Sequence, residues 1–408
     1  MGDRVIGFTG PFADVNFGDY GMMVNNVLDL EPSSSVLFSY ASGFLTSIRE
    51  RYLGSRDVEI VDVRVNLGGT HAEGGALPST PVEILGCVVN LGEVTSAVER
   101  IDTLVVSGGG FVNGLWAMPH RIERLLSIFV PALVASRLGK PIVFTGNSYG
   151  PFGEHEEFFF ALLNALRNVT FGARDSLYSC AQLRRLGIPE SSIVEVPDDL
   201  FLIHPSLRSM APSVTFEKDY VVLETYQPVQ YLRERQAALR LFSARMAEEY
   251  GLGVVFLPFH LGQGGVDQAE YLSEVLDDFV YYDPRELGFL PLEDALGIIS
   301  RARLVVASRY HAQVVALGVG TPVVAVLRDV LGDKRYYYGK CRGLLDRVLG
   351  DAPIDDSLYL QTDLTDALEV VSCELPRIVA EQSRQLGDVL PGARERLGKD
   401  RATLLGRV

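Results

Sequence analysis

Cysteine is scarce, and its spacing is uninformative. Cys87, Cys180, Cys341 and Cys373 form no Cys-x-x-Cys pair, so zinc-ribbon and thioredoxin-like chemistry have no ligands to work with. Isolated thiols suit a reducing compartment, and a cytoplasmic location is expected. The six histidines are equally scattered, and no His-Glu-x-x-His occurs. No metal site is expected. Basic residues are in deficit: 37 Lys and Arg face 52 Asp and Glu, a formal net charge of -15. That excludes a general affinity for nucleic acid, which needs a basic surface. An anionic substrate would need a local basic pocket. Long apolar runs are missing too. The nearest, Leu125 to Leu138, is interrupted by Pro131 and Arg137, so no integral membrane segment is expected. Met1-Gly2-Asp3-Arg4 leads straight into Val5-Ile6-Gly7-Phe8, which reads as a buried strand and not as a leader. A Gly-x-Gly-x-x-Gly fingerprint is absent after the first strand, so a dinucleotide is not indicated. Carboxylates paired at glycosidase spacing are not evident either.

What remains is a globular composition, 47% hydrophobic and 22% charged over 408 residues, a length that suits two domains. Short β-branched or aromatic runs alternate with helical patterns. Arg4–Thr9, Ser35–Tyr40, Val58–Val63, Thr103–Ser107 and Pro141–Thr145 read as strands. Tyr20–Leu30, Gly43–Tyr52, Arg121–Leu138, Phe158–Asn168 and Ser176–Leu186 read as helices. The alternation weakens between His204 and Asp219 and then resumes. Strands are expected at Tyr220–Thr225, Gly253–Pro258, Val280–Tyr282, Leu304–Ala307 and Val323–Val326. A last helical pattern, Thr365–Arg384, is closed by Gly387 and Pro391. Strand–helix alternation predicts parallel sheets covered on both faces. The reading is therefore α/β, with two Rossmann-like, doubly wound domains over residues 1–210 and 211–385, facing across a cleft. A tail over 386–408 is helical or frayed.

Ligands of doubly wound sheets bind beyond the carboxyl ends of the strands, and the unusual residues fall there. Asn16-Phe17-Gly18-Asp19 follows the first strand; Asp19 suits a helix cap, and Asn16 and Asp19 suit sugar hydroxyls. Ser107-Gly108-Gly109-Gly110 and Gly146-Asn147-Ser148 follow two later strands. Their glycines allow close backbone approach, to a ligand or to a neighbouring element. Arg174-Asp175-Ser176 offers a guanidinium just ahead of a cap. His260 and the glycines after it could hold a phosphate or sugar, and Lys334 could add positive charge. The richest segment is Ser308-Arg309-Tyr310-His311, after an apolar strand and at a helix start. It combines a fixed cation, a titratable ring and backbone amides, which together suit an anion with a nearby proton donor. The plainer alternative is a capped helix whose histidine packs on the sheet.

This ordered set resembles the polysaccharide pyruvyl transferases. The resemblance rests on Asn16-Phe17-Gly18-Asp19, Ser107-Gly108-Gly109-Gly110, Gly150-Pro151-Phe152, Arg174-Asp175-Ser176 and Ser308-Arg309-Tyr310-His311 with Gly320-Thr321-Pro322. It implies a GT-B-like fold, with the acceptor on the N-terminal side and the donor on the C-terminal side. It also implies transfer of pyruvate from phosphoenolpyruvate onto sugar hydroxyls of a glycan precursor or glycosylated metabolite, usually as a ketal, without a cofactor. His311 would protonate the enolpyruvate carbon, with Arg309 and Arg174 holding carboxylate and phosphate. Gly108, Gly109, Gly110, Asn147, Ser148, Ser308 and Tyr310 would line the substrates together with Asn16, Asp19, His260 and Lys334. A peripheral membrane contact would follow if the acceptor is lipid-linked, and homo-oligomerisation is compatible with the fold. Two features depart from the family pattern: Glu224 at a strand end, and the glycine-rich loop over residues 63–83. Two other readings fit the same residues: a GT-B glycosyltransferase using a nucleotide sugar, and a non-catalytic carbohydrate-binding relative.

Overall fold

The computed structural model describes residues 4–68, 77–78, 80–262, 265–330 and 334–408. Residues 69–76 and 79 of the glycine-rich loop therefore lie outside the described residues, as do Gln263 and Gly264 after His260. The chain divides into two units. The first comprises residues up to Asp14, Asp19–Asp199 and Leu397–Val408; the second comprises Val15–Gly18 and Leu200–Arg396. The division thus falls after Asp199 and not at 210, and the end of the chain returns to the first unit.

In the first unit the strands are β1 (Val5–Thr9), β2 (Ser34–Ser39), β3 (Asp57–Asp62), β4 (Thr103–Val106), β5 (Gly109–Val112), β6 (Ile142–Tyr149), β7 (Val169–Ala173) and β8 (Ile193–Glu195). They form one sheet in the order β3-β2-β1-β4-β6-β7-β8, with β5 beside β6. Every pairing is parallel. The second unit holds β9 (Tyr220–Glu224), β10 (Gly253–Phe256), β11 (Phe279–Tyr281), β12 (Leu304–Ala307), β13 (Val323–Val326) and β14 (Leu360–Gln361). Its order is β11-β10-β9-β12-β13-β14, again all parallel. Helices on both faces explain why central strands such as Leu304-Val305-Val306-Ala307 are apolar throughout and fully buried. The second sheet reverses direction between β9 and β12. At such switch points the ligands of doubly wound sheets bind beyond the strand ends.

Three elements differ from the sequence reading. The first long helix starts at Phe17, so Asp19 lies in its first turn and does not cap it. Gly109–Val112 is a strand, not a loop; Gly109 pairs with Asn147 and Val112 with Tyr149. The last helix runs unbroken from Leu364 to Leu405, through Gly387, Pro376 and Pro391. Leu386, Leu390, Ala393, Leu397, Arg401 and Leu404 are all buried along it. That continuous stripe at helical spacing outweighs the local cost of glycine and proline. Among the described residues no helix is long and apolar enough to cross a membrane.

The chain end is fastened in the first unit by charge. Arg401 donates to Asp199 at 2.6 Å, to Asp29 at 2.7 and 2.9 Å, and to Asn26 at 2.8 Å. Asp199 also accepts from Asn26, Thr145, and the amides of Gly108 and Gly146. One buried carboxylate thus ties the turn after β4 and the middle of β6 to the terminal helix; Gly146-Asn147-Ser148, expected to follow a strand, lies within β6.

Candidate active site

The second unit contains the segment that stood out in the sequence. Glu224 ends β9 and lies beside Ala307, the last residue of β12, in parallel register. The next residues, Ser308 and Arg309, lead into the helix Tyr310–Val319. Glu224 is fully buried. Its Oε2 accepts the amide of Ser308 at 3.0 Å and that of Arg309 at 2.7 Å. The amides expected to face a ligand are therefore spent on a protein carboxylate. Anion recognition at this junction is left to side chains.

Glu224 also faces the Arg309 guanidinium, with Oε1 3.3 Å from Nε. Burial pushes the carboxyl up, while Arg309, the two amides and Arg328 draw it back. Burial likewise pushes the Arg309 guanidinium down, and Glu224 opposes that shift. Each charge is tolerable because the other is present. Ser308 Oγ accepts the Tyr226 amide at 2.8 Å, which joins the loops after β9 and β12. Cζ of Arg309 lies 4.6 Å from the centre of the Tyr226 ring.

His311 is 9% exposed and meets the Tyr310 ring edge-on at 5.6 Å. Gly18 lies directly against it: a Cβ at that position would overlap Cγ, Nδ1 and Cε1 of the imidazole. The strap carrying Gly18 docks on the same unit. Asn16 forms an antiparallel bridge with His260. The Phe17 amide donates to the Phe259 carbonyl at 3.0 Å, and the two rings meet edge to face at 4.7 Å. His260 Nδ1 accepts the Gly262 amide at 2.9 Å. Asn16, Gly18, His260, Ser308, Arg309, Tyr310 and His311 are thus gathered around the strand ends of one sheet. Lys334 is not part of this group; it is exposed, and Nζ donates to the Thr362 carbonyl at 2.6 Å.

The remaining candidates lie in the first unit and are mostly committed internally. Arg174 is 1% exposed; Nη1 pairs with Asp198 at 2.6 Å and Nε donates to Ser148 Oγ at 2.7 Å. Asp198 and Ser148 thus hold the guanidinium within the first unit. Gly108, Asn147 and Ser148 are buried. A Cβ on Gly108 would come within 2.6 Å of Asp199 Oδ2 and 2.8 Å of the Gly146 carbonyl. A Cβ on Gly109 would meet Phe111 and Pro11 at 3.0 Å. At Gly108 and Gly109 the missing side chain lets protein groups approach one another. Gly110 is half-buried, and Asp19 is buried in the first turn of its helix. Asp198 and Asp199 are the buried partners of Arg174 and Arg401.

Sequence reasoning missed Arg328, Tyr337 and Lys340. Arg328 follows β13 and stacks on Tyr226, 3.3 Å from the ring centre. Its Nη1 donates to Tyr337 Oη at 3.0 Å. Lys340 is buried, with Nζ 4.3 Å from the Tyr310 ring centre and 5.4 Å from that of Tyr337. The only sequence signal was the run Tyr336-Tyr337-Tyr338 beside basic residues.

The sequence pattern of the polysaccharide pyruvyl transferases matches residues 40–330. The chain belongs to that family. It is accordingly a transferase of the polysaccharide pyruvyl transferase type. No curated protein sequence matches it. Among solved structures it is similar to S. aureus MnaA, solved with UDP, at 14% identity and a TM-score of 0.58, covering 100% of this chain and 98% of that one. Anabaena Alr3699/HepE, solved with UDP-glucose, gives 11% identity, a TM-score of 0.56 and 98% coverage of both chains. The UDP-GlcNAc 2-epimerase of Neisseria meningitidis, bound to UDP-GlcNAc, gives 13%, 0.54 and 94% of both. At such identities the likeness is one of fold, two parallel-sheet α/β domains of GT-B type.

Within the pyruvyl transferase, Gly18→Ala tests whether the strap fixes His311. The added methyl must push the imidazole aside, and a displacement near 1 Å costs about 100-fold in turnover. Overpacking should cost about 1–3 kcal/mol of stability. Steady-state kinetics and thermal unfolding separate the two effects. Turnover within a few-fold of the parent would show that Gly18 does not position the ring.

Proposed function

We propose that this pyruvyl transferase moves pyruvate from phosphoenolpyruvate onto two hydroxyls of a sugar in a glycan precursor or glycosylated metabolite, forming a ketal. The observation that carries the reading is the pair Arg309 and His311 at the switch point of the second sheet, the first held by Glu224 and the second backed by Gly18. Phosphoenolpyruvate offers a carboxylate for a guanidinium and a nucleophilic methylene for a proton donor. His311 gives its proton to that methylene, which becomes a methyl group. The neighbouring carbon turns electrophilic, and a sugar hydroxyl adds to it. The bond from that carbon to the phosphate oxygen breaks, phosphate leaves, and the second hydroxyl takes its place. Of the two hydroxyl protons, one replaces the proton that His311 gave up. The other leaves with phosphate. Fixed cations carry the charge of donor and leaving group. Arg174, tied to Asp198, is assigned to bracing β6 and β7 and not to the donor.

A nucleotide sugar is the competing donor, because the similar folds named above were solved with UDP or UDP-sugars. Thermal unfolding with each ligand separates the two, since a ligand that binds only the folded chain raises its unfolding temperature. Phosphoenolpyruvate at about 100 times its Kd should stabilise by about 2.7 kcal/mol. Stabilisation by UDP and none by phosphoenolpyruvate would overturn the proposal.

A further inference from the structure

Three strand ends stand side by side in the second sheet. β9, β12 and β13 are neighbours, and the residues just beyond them include Tyr226, Arg309 and Arg328. The two guanidiniums share one aromatic ring, with Cζ of Arg328 at 3.3 Å and Cζ of Arg309 at 4.6 Å from the centre of Tyr226. A second ring flanks Arg328, the centre of Tyr337 lying 5.1 Å from Cζ.

Their charges are balanced unequally. Arg309 faces Glu224 at 3.3 Å. Among the described residues Arg328 makes no ion pair with a carboxylate; its hydrogen bond goes to the Tyr337 hydroxyl. Two cations thus lie around one tyrosine, and Glu224 pairs with Arg309. Such an arrangement is repulsive on its own and is relieved when an anion arrives. Arg328 is half-buried, whereas Arg309 is 9% exposed, so Arg328 is the more accessible of the two. Stacking fixes the plane of its guanidinium while leaving edge N–H groups to donate, the geometry that suits bidentate recognition of a phosphate.

We infer that Arg328, held on the Tyr226 and Tyr337 rings, is a phosphate-binding residue of this site and receives the phosphoryl group of the donor. Arg309, partly neutralised by Glu224 and two residues from His311, takes the carboxylate. The assignment rests on the reading that the donor is phosphoenolpyruvate. It divides the donor's two anionic ends between two guanidiniums on adjacent strand ends.

The test uses the full chain and compares Arg328→Gln and Arg328→Lys with the parent. Inorganic phosphate and pyruvate serve as separate probes of the two ends, read by calorimetry or by competition with phosphoenolpyruvate. Losing a charge-assisted bidentate contact should weaken phosphate binding by about 10–100-fold, and the KM for phosphoenolpyruvate should rise similarly. Pyruvate affinity should change less than threefold. Arg328→Lys should recover part of the phosphate affinity and guards against misfolding of the glutamine variant. Unchanged phosphate affinity in Arg328→Gln, with a parent that binds phosphoenolpyruvate, would overturn this assignment and leave the proposed function standing. Equal losses for phosphate and pyruvate would overturn it as well, since the residue would then act only through general charge. A parent that binds UDP but neither phosphate nor phosphoenolpyruvate would overturn both.

Discussion

Replacing His311 with Asn should lower pyruvyl transfer by about 10²–10⁴-fold, the usual worth of a positioned general acid, with little change in donor affinity. Asn keeps a polar group of similar reach but cannot deliver a proton to carbon. Arg309 and Arg328 remain in place, so phosphoenolpyruvate should still raise the unfolding temperature of the variant. The smaller side chain also removes the contact with Gly18, so no clash is introduced. Single-turnover kinetics with phosphate release as the readout provide the measurement. A variant that retains turnover within a few-fold would remove His311 from the chemistry. A variant that loses donor binding and turnover together would make it a binding residue.

The second large effect is expected at Glu224. Glu224→Ala removes the acceptor of two amides and the counter-charge of Arg309 in one step. An uncompensated buried guanidinium typically costs about 3–5 kcal/mol. For a unit of this size that corresponds to a fall in unfolding temperature of about 10 °C, at about 2–4 °C per kcal/mol. Glu224→Gln keeps one oxygen for the amides but turns an NH2 toward the guanidinium, so it should fall between the parent and the alanine variant. Scanning calorimetry would show the loss in the transition of the second unit. An unshifted transition in Glu224→Ala would mean that the junction stands without its carboxylate.

Glu224 also illustrates how far the sequence could be read. An acid at the end of an apolar strand was visible as a departure, but its purpose depends on a neighbour. β9 and β12 are separated in sequence and adjacent in space, so nothing local to Glu224 points to Ser308 and Arg309. The strands themselves were legible, because runs such as Leu304–Ala307 and Val323–Val326 are apolar and bounded by polar or glycine-rich turns. β5 was hidden because Gly109 and Gly110 lack the side chains that mark a strand. The terminal helix was cut short in the reading because Gly387 and Pro391 are stop signals, whereas burial of the residues around them decides the outcome. The pairing of Arg174 with Asp198 was not legible, since the two lie 24 residues apart. Arg328 went unnoticed for a different reason: a lone arginine in a loop has no pattern, and only the adjacency of β12 and β13 sets it beside Arg309.

In the proposed function this chain protonates the methylene carbon of phosphoenolpyruvate and passes the pyruvyl group to a sugar. NMR of phosphorus and protons in D2O tests it directly, with the protein, phosphoenolpyruvate and a panel of sugar acceptors. Free phosphate should accumulate in step with a ketal whose methyl group carries one deuterium, and both signals should be lost with His311→Asn. Intact phosphoenolpyruvate alongside consumption of a UDP-sugar, or a pyruvyl product whose methyl carries no deuterium, would contradict it.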